Sequence, residues 1–164
     1  MSLFHQHFSY SHVFFEQPAG LHLVKIQTSP NDRMLWALDN RGNVHVRVGI
    51  TEEMPVGTAW EHIPGLQASQ LVLSIRTAWV RLYNGEVARR YGITEKNPAG
   101  DYWKKIPGLV SWLAVTPMDE LWAVAPAGAL NQRLTKTLQN NRNKNHGNTG
   151  SLSGEELEEE WEVI

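Results

Sequence analysis

The chain has 164 residues, with 15 Lys and Arg against 17 Asp and Glu, and it contains no cysteine. This length suits one domain with a buried core, and the missing cysteine excludes a disulfide framework, a cysteine-ligated zinc, an iron–sulfur cluster and a thiol nucleophile. No stretch approaches about 18 consecutive apolar residues, so we expect no membrane span.

The charge is unevenly distributed along the chain. Residues 1–154 carry 15 basic and 11 acidic side chains, whereas the last ten positions hold six glutamates and no Lys or Arg. A mildly basic body lacks the strongly basic face that nucleic acids require. The N-terminus also lacks the basic start and the clean apolar run of a signal peptide. We therefore expect a cytoplasmic protein with no nucleic-acid partner.

The sequence repeats with a period of 43 residues. Tryptophans, turn glycines, arginines and a Pro-Gly-Leu triplet all recur at this offset: Trp36, Trp79 and Trp122; Trp60 and Trp103; Gly42, Gly85 and Gly128; Arg47, Arg90 and Arg133; Pro64-Gly65-Leu66 and Pro107-Gly108-Leu109. So many matches at one ungapped offset identify a tandem repeat.

Each unit is predicted to consist of short β-strands. Residues 34–39 and 43–48 alternate apolar and polar side chains on either side of a glycine turn. In the second copy this turn is Asn84-Gly85, a strong hairpin signal because a type I′ turn needs positive φ at both central residues. A Gly-Ile-Thr turn, a Pro/Gly loop and a Trp-containing strand follow. About four strands in 43 residues match one propeller blade.

We predict an all-β fold, a partial β-propeller of about two and a half four-stranded blades. Closed propellers need roughly four to eight blades. We therefore expect either the end of a longer protein that supplies the remaining blades or a short product of the same gene; self-association is the alternative. The predicted segments are an unassigned N-terminus (1–22), blades at 23–65 and 66–108, a partial blade at 109–138, a linker at 139–154 and an acidic tail at 155–164.

The recurring tryptophans and arginines have two interpretations. A Trp that returns once per blade on an alternating strand is typical of packing between blades, and the alternative is a ligand-stacking face. The recurring arginines favour hydrogen bonding within or between blades, and the alternative is an anion site.

The joint pattern of these units resembles the tectonin repeat: Leu-Trp-Ala, a glycine turn, Val-x-x-Arg, Gly-Ile-Thr and Trp-x-x-Ile-Pro-Gly, over residues 23–135. Tectonin propellers occur in lectin-like proteins and in repeat-containing proteins of the autophagy system, and the chain's last residues resemble the C-terminal end of the latter. The resemblance implies a large cytosolic scaffold with WD repeats elsewhere. It also implies roles in autophagy and cargo export at endoplasmic-reticulum exit sites, with vesicle-coat or tethering proteins as further partners.

The last four residues, Trp161-Glu162-Val163-Ile164, form what we call the terminal motif. An aromatic, two spacers and an aliphatic, preceded by Glu158, Glu159 and Glu160, resemble the motifs that bind ubiquitin-like autophagy modifiers of the GABARAP family. Such a segment would add as a strand to the partner's sheet, with Trp161 and Ile164 in pockets and the glutamates at a basic rim. Strict strand alternation would instead place Trp161 and Val163 on one face.

The preceding linker, rich in Asn, Gly and Ser, predicts a flexible tether, and we expect the C-terminal tail that follows it to be disordered. A helix is the alternative for the tail: Ser153 and Glu156 fit a capping box, and Leu157, Trp161 and Ile164 share one helical face that could dock on the propeller. Ser153 is also a candidate site for an acidophilic kinase, with plain solvent exposure as the simpler interpretation.

No catalytic, metal or cofactor site is predicted. The pair His5 and His7 has no accompanying carboxylate cluster, adjacent Asp119 and Glu120 belong to a strand entry, and phosphate-binding and nucleophile motifs are missing. We therefore expect a non-enzymatic scaffold that binds a GABARAP-type modifier. The rival is a lectin-like or lipid-headgroup-binding module in which the recurring Trp and Arg face a ligand and the tail only aids solubility.

Overall fold

The computed structural model describes residues 17–133 and 161–164. These ranges contain eleven strands: β1 (Leu23–Thr28), β2 (Leu35–Asp39), β3 (Asn43–Val48), β4 (Ala59–Leu73), β5 (Ala78–Leu82), β6 (Glu86–Tyr91), β7 (Tyr102–Leu109), β8 (Trp112–Val115), β9 (Leu121–Val124), β10 (Leu130–Arg133) and β11 (Trp161–Val163). Within them, no helix is long and apolar enough to cross a membrane.

The strands build three antiparallel blades. One sheet has the order β1 to β7 and the other the order β11-β10-β9-β8. The long strand β4 belongs to two blades, because it pairs with β3 up to Gln67 and with β5 from Ala68 onward. We call β1–β3 with the first part of β4 blade A, the rest of β4 with β5–β7 blade B, and β8–β11 blade C. The predicted all-β partial propeller is confirmed.

Blade C differs from the predicted half blade, since it has four strands. Its fourth strand is β11, supplied by the tail after an intervening stretch that lies outside the described residues. The tail was expected to be unstructured, yet its last residues join a sheet because they pair with β10.

The hairpin turns follow the repeat. Gly42, Gly85 and Gly128 have φ of 82°, 89° and 90°, and each N–H donates to the carbonyl three residues earlier. At Gly42 a side chain would also collide with its surroundings, since a Cβ there would lie 2.8 Å from the carbonyl oxygen of Ala68. Positive φ and close approach both require glycine at this turn.

The core lies between the blades. Trp36 and Trp79 are 0% exposed, and each anchors a cluster that joins its own blade to the next one. Trp103 from blade B meets Trp36 of blade A edge to face, with ring centroids 6.3 Å apart. Trp122, at the same repeat position in blade C, is only half-buried.

A buried carboxylate ties blade B to blade C. Asp119, in the loop before β9, accepts hydrogen bonds from Nε1 of Trp79 at 2.9 Å and from Oγ1 of Thr77 at 3.1 Å. Arg89 also donates to it at 3.1 Å and lies 5.0 Å over the Trp79 ring. Because two of these donors are buried, removing the carboxylate would leave them without a partner.

Asp119→Ala is expected to lower the free energy of unfolding by about 3 kcal/mol, since it breaks a buried ion pair and leaves buried donors without an acceptor. Asp32→Ala is the matched control: Asp32 also has positive φ, 58° against 72° for Asp119, but it is exposed. Urea denaturation of both variants measures the difference. Equal losses would mean that backbone strain alone is responsible.

A second carboxylate organises the hairpin of blade A. Asp39 accepts hydrogen bonds from the N–H groups of Arg41 and Asn43, from the Asn43 side chain and from His45. Burial acts to raise the pKa of Asp39, but the bonds from Asn43, His45 and the two N–H groups outweigh it and hold the pKa well below its ordinary value. The ionised form therefore stabilises the folded chain.

The pKa of Asp39 is lower in the folded chain than in the unfolded chain, where it is about 3.9. Its ionised form therefore stabilises the folded chain above about pH 3.9, and this contribution is lost as the pH falls. Asp39→Asn should therefore be less stable than the parent chain at neutral pH, and the gap should narrow below about pH 4. Thermal unfolding of both chains across this range tests the expectation. A gap that stays constant with pH would contradict it.

Candidate functional site

The terminal motif forms the edge of blade C. Strand β11 runs antiparallel to β10, with Arg133 opposite Trp161 and Asn131 opposite Val163. The N–H of Ile164 continues the ladder by donating to the carbonyl of Leu130 at 3.0 Å. An extended backbone that satisfies its hydrogen bonds on a neighbouring strand defines this segment as part of the sheet.

Trp161 is lodged against blade B. Its indole N–H donates to the carbonyl oxygen of Pro107 at 3.1 Å, and its ring packs on the cluster that contains Trp79. A Cβ added to Gly108 would lie only 3.1 Å from Cδ1 of Trp161, so the ring sits directly over a glycine. On the other side the guanidinium of Arg133 lies 6.0 Å from the ring centroid. The side chain is half-buried by these contacts.

The same arrangement occurs in every blade. Each fourth strand pairs its Trp with an Arg of the third strand, and the guanidinium lies over the indole: Arg47 and Trp60 at 5.4 Å, Arg90 and Trp103 at 5.3 Å, Arg133 and Trp161 at 6.0 Å. The terminal motif is therefore the third copy of the Trp-x-x-Ile strand at Trp60–Ile63 and Trp103–Ile106.

The sequence carries a signal for this placement, although the fixed period hides it. Trp161 follows Trp103 by 58 positions instead of 43, so the third copy has 15 extra residues before its closing strand. The Trp-x-x-Ile pattern is nevertheless the one that ends the two complete copies. Matching this pattern, rather than the offset, would have assigned residues 161–164 to blade C.

The recurring arginines hold loops in place. Arg90 donates from Nε to the carbonyl of Ala99 at 2.8 Å, and Arg47 donates from Nε to Val56 at 2.9 Å. Burial lowers the pKa of Arg90, while Asp101 and Glu61 act in the opposite direction. These guanidinium groups contact carbonyls and rings of their own blades. This geometry favours the hydrogen-bonding interpretation of the recurring arginines over the anion site.

Trp161 and Ile164 face opposite sides of blade C. Trp161 points back to blade B, whereas the isoleucines that correspond to Ile164 point forward: Ile63 and Ile106 are 1% and 6% exposed, each in a cluster with the following blade. Ile164 is 66% exposed. Its neighbours on this forward face, Trp122, Val124 and Leu130, are also half-buried or exposed. We call these four residues the open face of blade C.

The other predicted site residues divide into two groups. Glu162 and Val163 are exposed on β11, and Val163 is 73% exposed. Glu158, Glu159, Glu160 and the candidate phosphosite Ser153 lie outside the described residues. The helical alternative for the tail is wrong at Trp161–Val163, because these residues form a strand.

A separate cleft of about 930 Å³ lies where the Gly-Ile-Thr turns of blades A and B meet. Its lining mixes both charge signs, with Arg33, Arg76 and Lys96 beside Glu52 and Glu95. Arg33 and Glu52 lie 3.8 Å apart, so part of this charge is already paired. In the described part of the chain no group of three or more His, Asp or Glu is placed to hold a metal ion.

Comparison with known proteins connects these blades to a family. A family model described as the Hyd_WA propeller matches residues 34–63 and 77–106, and both matches end on the Ile of Trp-x-x-Ile. The chain is 64% identical over 149 residues to the human tectonin beta-propeller repeat-containing protein 2. That alignment covers 90% of this chain and 11% of the length of the relative.

Among solved structures, the chain is similar to the crystal structure of Prp20p from Saccharomyces cerevisiae. The TM-score is 0.43 and the identity 18%, over 60% of this chain and 30% of that chain.

Trp161→Ala should lower the free energy of unfolding by about 2 kcal/mol, because it removes a half-buried indole that packs on blade B. Val163→Ala is the control on the same strand, and at 73% exposure it should change stability by less than about 0.5 kcal/mol. Urea denaturation followed by far-UV circular dichroism measures both. A Trp161 variant as stable as the parent would mean that β11 contributes nothing to blade C.

Proposed function

This chain belongs to the tectonin β-propeller repeat family, and we propose that it is a non-enzymatic scaffold whose blades present the terminal motif to a ubiquitin-like autophagy modifier of the GABARAP family. The observation that carries the proposal is the motif's conformation. Trp161–Val163 is already extended and lies at the outer edge of a sheet. Recognition by strand addition requires an extended segment with an available edge, together with side chains for the partner's pockets.

The exposed side chains of β11 support the proposal. Ile164 and Val163 are 66% and 73% exposed, so an aliphatic side chain is available to a partner's apolar pocket. Six glutamates among the last ten residues give the segment a strong negative charge. That charge would attract a basic rim and accelerate the encounter.

The wider setting of the proposal is a longer protein. The chain spans about 11% of the length of the curated relative it matches. The open face of blade C is apolar, and its positions correspond to those that pack on a following blade elsewhere in the chain. We propose that further blades cover Trp122, Val124 and Leu130, and that Ile164 at the end of the strand stays available to the modifier. In that setting the scaffold would act in the cytoplasm, at endoplasmic-reticulum exit sites and autophagosomal membranes, together with vesicle-coat or tethering proteins.

The lectin-like or lipid-headgroup-binding alternative receives less support. It requires the recurring aromatic and basic side chains to face a ligand. Trp36 and Trp79 are fully buried between blades, and Arg90 is 8% exposed and bonded to a loop carbonyl. The cleft between blades A and B is open, but its mixed charges select no one class of ligand.

Titration calorimetry of the full chain against a purified GABARAP-family modifier tests the proposal. The double variant Trp161→Ala/Ile164→Ala should lose affinity by about thirtyfold or more, since truncating an aromatic anchor typically costs roughly 2 kcal/mol. The matched control is Trp112→Ala/Ile26→Ala, which removes a tryptophan and an isoleucine that are 59% and 65% exposed elsewhere in the chain. Absence of binding both by the folded parent chain and by a synthetic peptide of residues 155–164 would overturn the proposal.

A further inference from the structure

We infer that the terminal motif has two mutually exclusive positions, one closing blade C and one bound to the modifier, so that modifier binding requires Trp161 to leave its seat on Pro107 and Gly108. This inference rests on the proposed function and concerns its regulation. It follows because the Trp161 indole packs on blade B in this structure and is also the side chain that the modifier's pocket would bind.

The position that Trp161 occupies on Pro107 and Gly108, its seat, is formed by specific contacts within the chain. The indole N–H has its acceptor, the Pro107 carbonyl at 3.1 Å, and a Cβ added to Gly108 would lie 3.1 Å from Cδ1 of the ring. The Arg133 guanidinium lies over the ring. Blade B forms the same kind of seat with blade A, where a Cβ on Gly65 would lie 3.5 Å from Cδ1 of Trp103.

A partner that binds the motif by an aromatic pocket needs this same indole. A pocket can surround the ring only when the ring is free of other contacts, and here one side rests on blade B. The outer backbone edge of β11 and the side chain of Ile164 are accessible in the closed position. The conflict is therefore confined to the Trp161 side chain and to whatever movement of β11 its release requires.

Release of this strand requires only local opening at the edge of a sheet. With three residues, β11 is the shortest strand in the described part of the chain, and it lies at a sheet edge. Edge strands with few buried contacts open locally at much lower free energy than core strands. The other two closing strands differ in length, because β4 has 15 residues and β7 has 8.

The thermodynamic consequence is a reduced apparent affinity. When only a fraction of molecules has the motif released, the apparent dissociation constant equals the intrinsic constant divided by that fraction. Anything that weakens the seat should tighten modifier binding, and anything that fastens β11 to β10 should abolish it. Both directions can be tested in the full chain.

The first test fastens the strand. Because the Ile164 N–H bonds to Leu130, alternation makes Asn131 and Val163 a non-hydrogen-bonded pair, with Cα atoms about 4.5 Å apart. This separation is within the range of a disulfide. The chain has no other cysteine, so Asn131→Cys/Val163→Cys gives one defined cross-link. The oxidised protein should bind the modifier at least about thirtyfold more weakly than the same protein after reduction.

The second test loosens the seat. Gly108→Ala should strengthen modifier binding by about threefold, because its Cβ crowds the Trp161 ring. Gly65→Ala is the matched control: both glycines have φ near 100°, so the backbone strain is alike, but the Gly65 Cβ meets Trp103 instead. Its affinity should equal that of the parent chain.

Calorimetry of these proteins separates the two levels of the argument. The two-position inference would be overturned if the double-cysteine variant had the same affinity before and after reduction and if Gly108→Ala bound as tightly as Gly65→Ala. That result would leave the proposed function standing. The proposed function itself would be overturned if the parent chain, Gly108→Ala and a synthetic peptide of residues 155–164 all failed to bind. Binding by the peptide and the reduced protein, with none by the oxidised protein, is the expected result.

Discussion

The contact on which this structure depends is the one between a closing-strand tryptophan and the blade before it. Trp103 packs edge to face on Trp36 and sits over Gly65. Trp161 repeats the arrangement one blade later, over Gly108 and beside the cluster of Trp79. Because each blade is a small sheet with little core of its own, contacts with its neighbour supply much of its buried apolar surface. The closing strand therefore stabilises two blades at once.

A second set of bonds fixes how the blades face each other. Trp79 is buried like Trp36, but only Trp79 has its indole N–H bonded to a carboxylate of the next blade, that of Asp119. The carboxylate also accepts a hydrogen bond from Arg89, whose guanidinium lies over the same Trp79 ring. The repeats thus share a backbone plan while their interfaces use different polar contacts. The corresponding Nε1 of Trp36 is buried and has no hydrogen-bond partner among the described residues.

Under the proposed function, the terminal motif would serve two purposes. Trp-x-x-Ile closes a blade because Trp and Ile, three residues apart in an extended strand, point to opposite faces and so contact the preceding and the following blade. The same two side chains suit a strand-addition partner with two pockets. In blade C the backward contact is made and the forward face is open, as the exposed Ile164 shows. In the described part of the chain, blade C is therefore the blade whose closing strand leaves its isoleucine exposed.

The amino-acid sequence predicts blades A and B, because their strands, turn glycines and alternation are local features that return at a constant spacing of 43 residues. It also determined that the residues at 161–164 form a Trp-x-x-Ile pattern, and hence the candidate site. It did not place that pattern: the 15 extra residues break the spacing, and a local reading allowed a free tail or a helix. The folded chain shows that Trp161 pairs with Arg133 and rests on Gly108, and that Asp119 accepts a hydrogen bond from Trp79. Strand pairing and inter-blade contacts join residues distant in sequence, and no local pattern specifies which distant partner fills them.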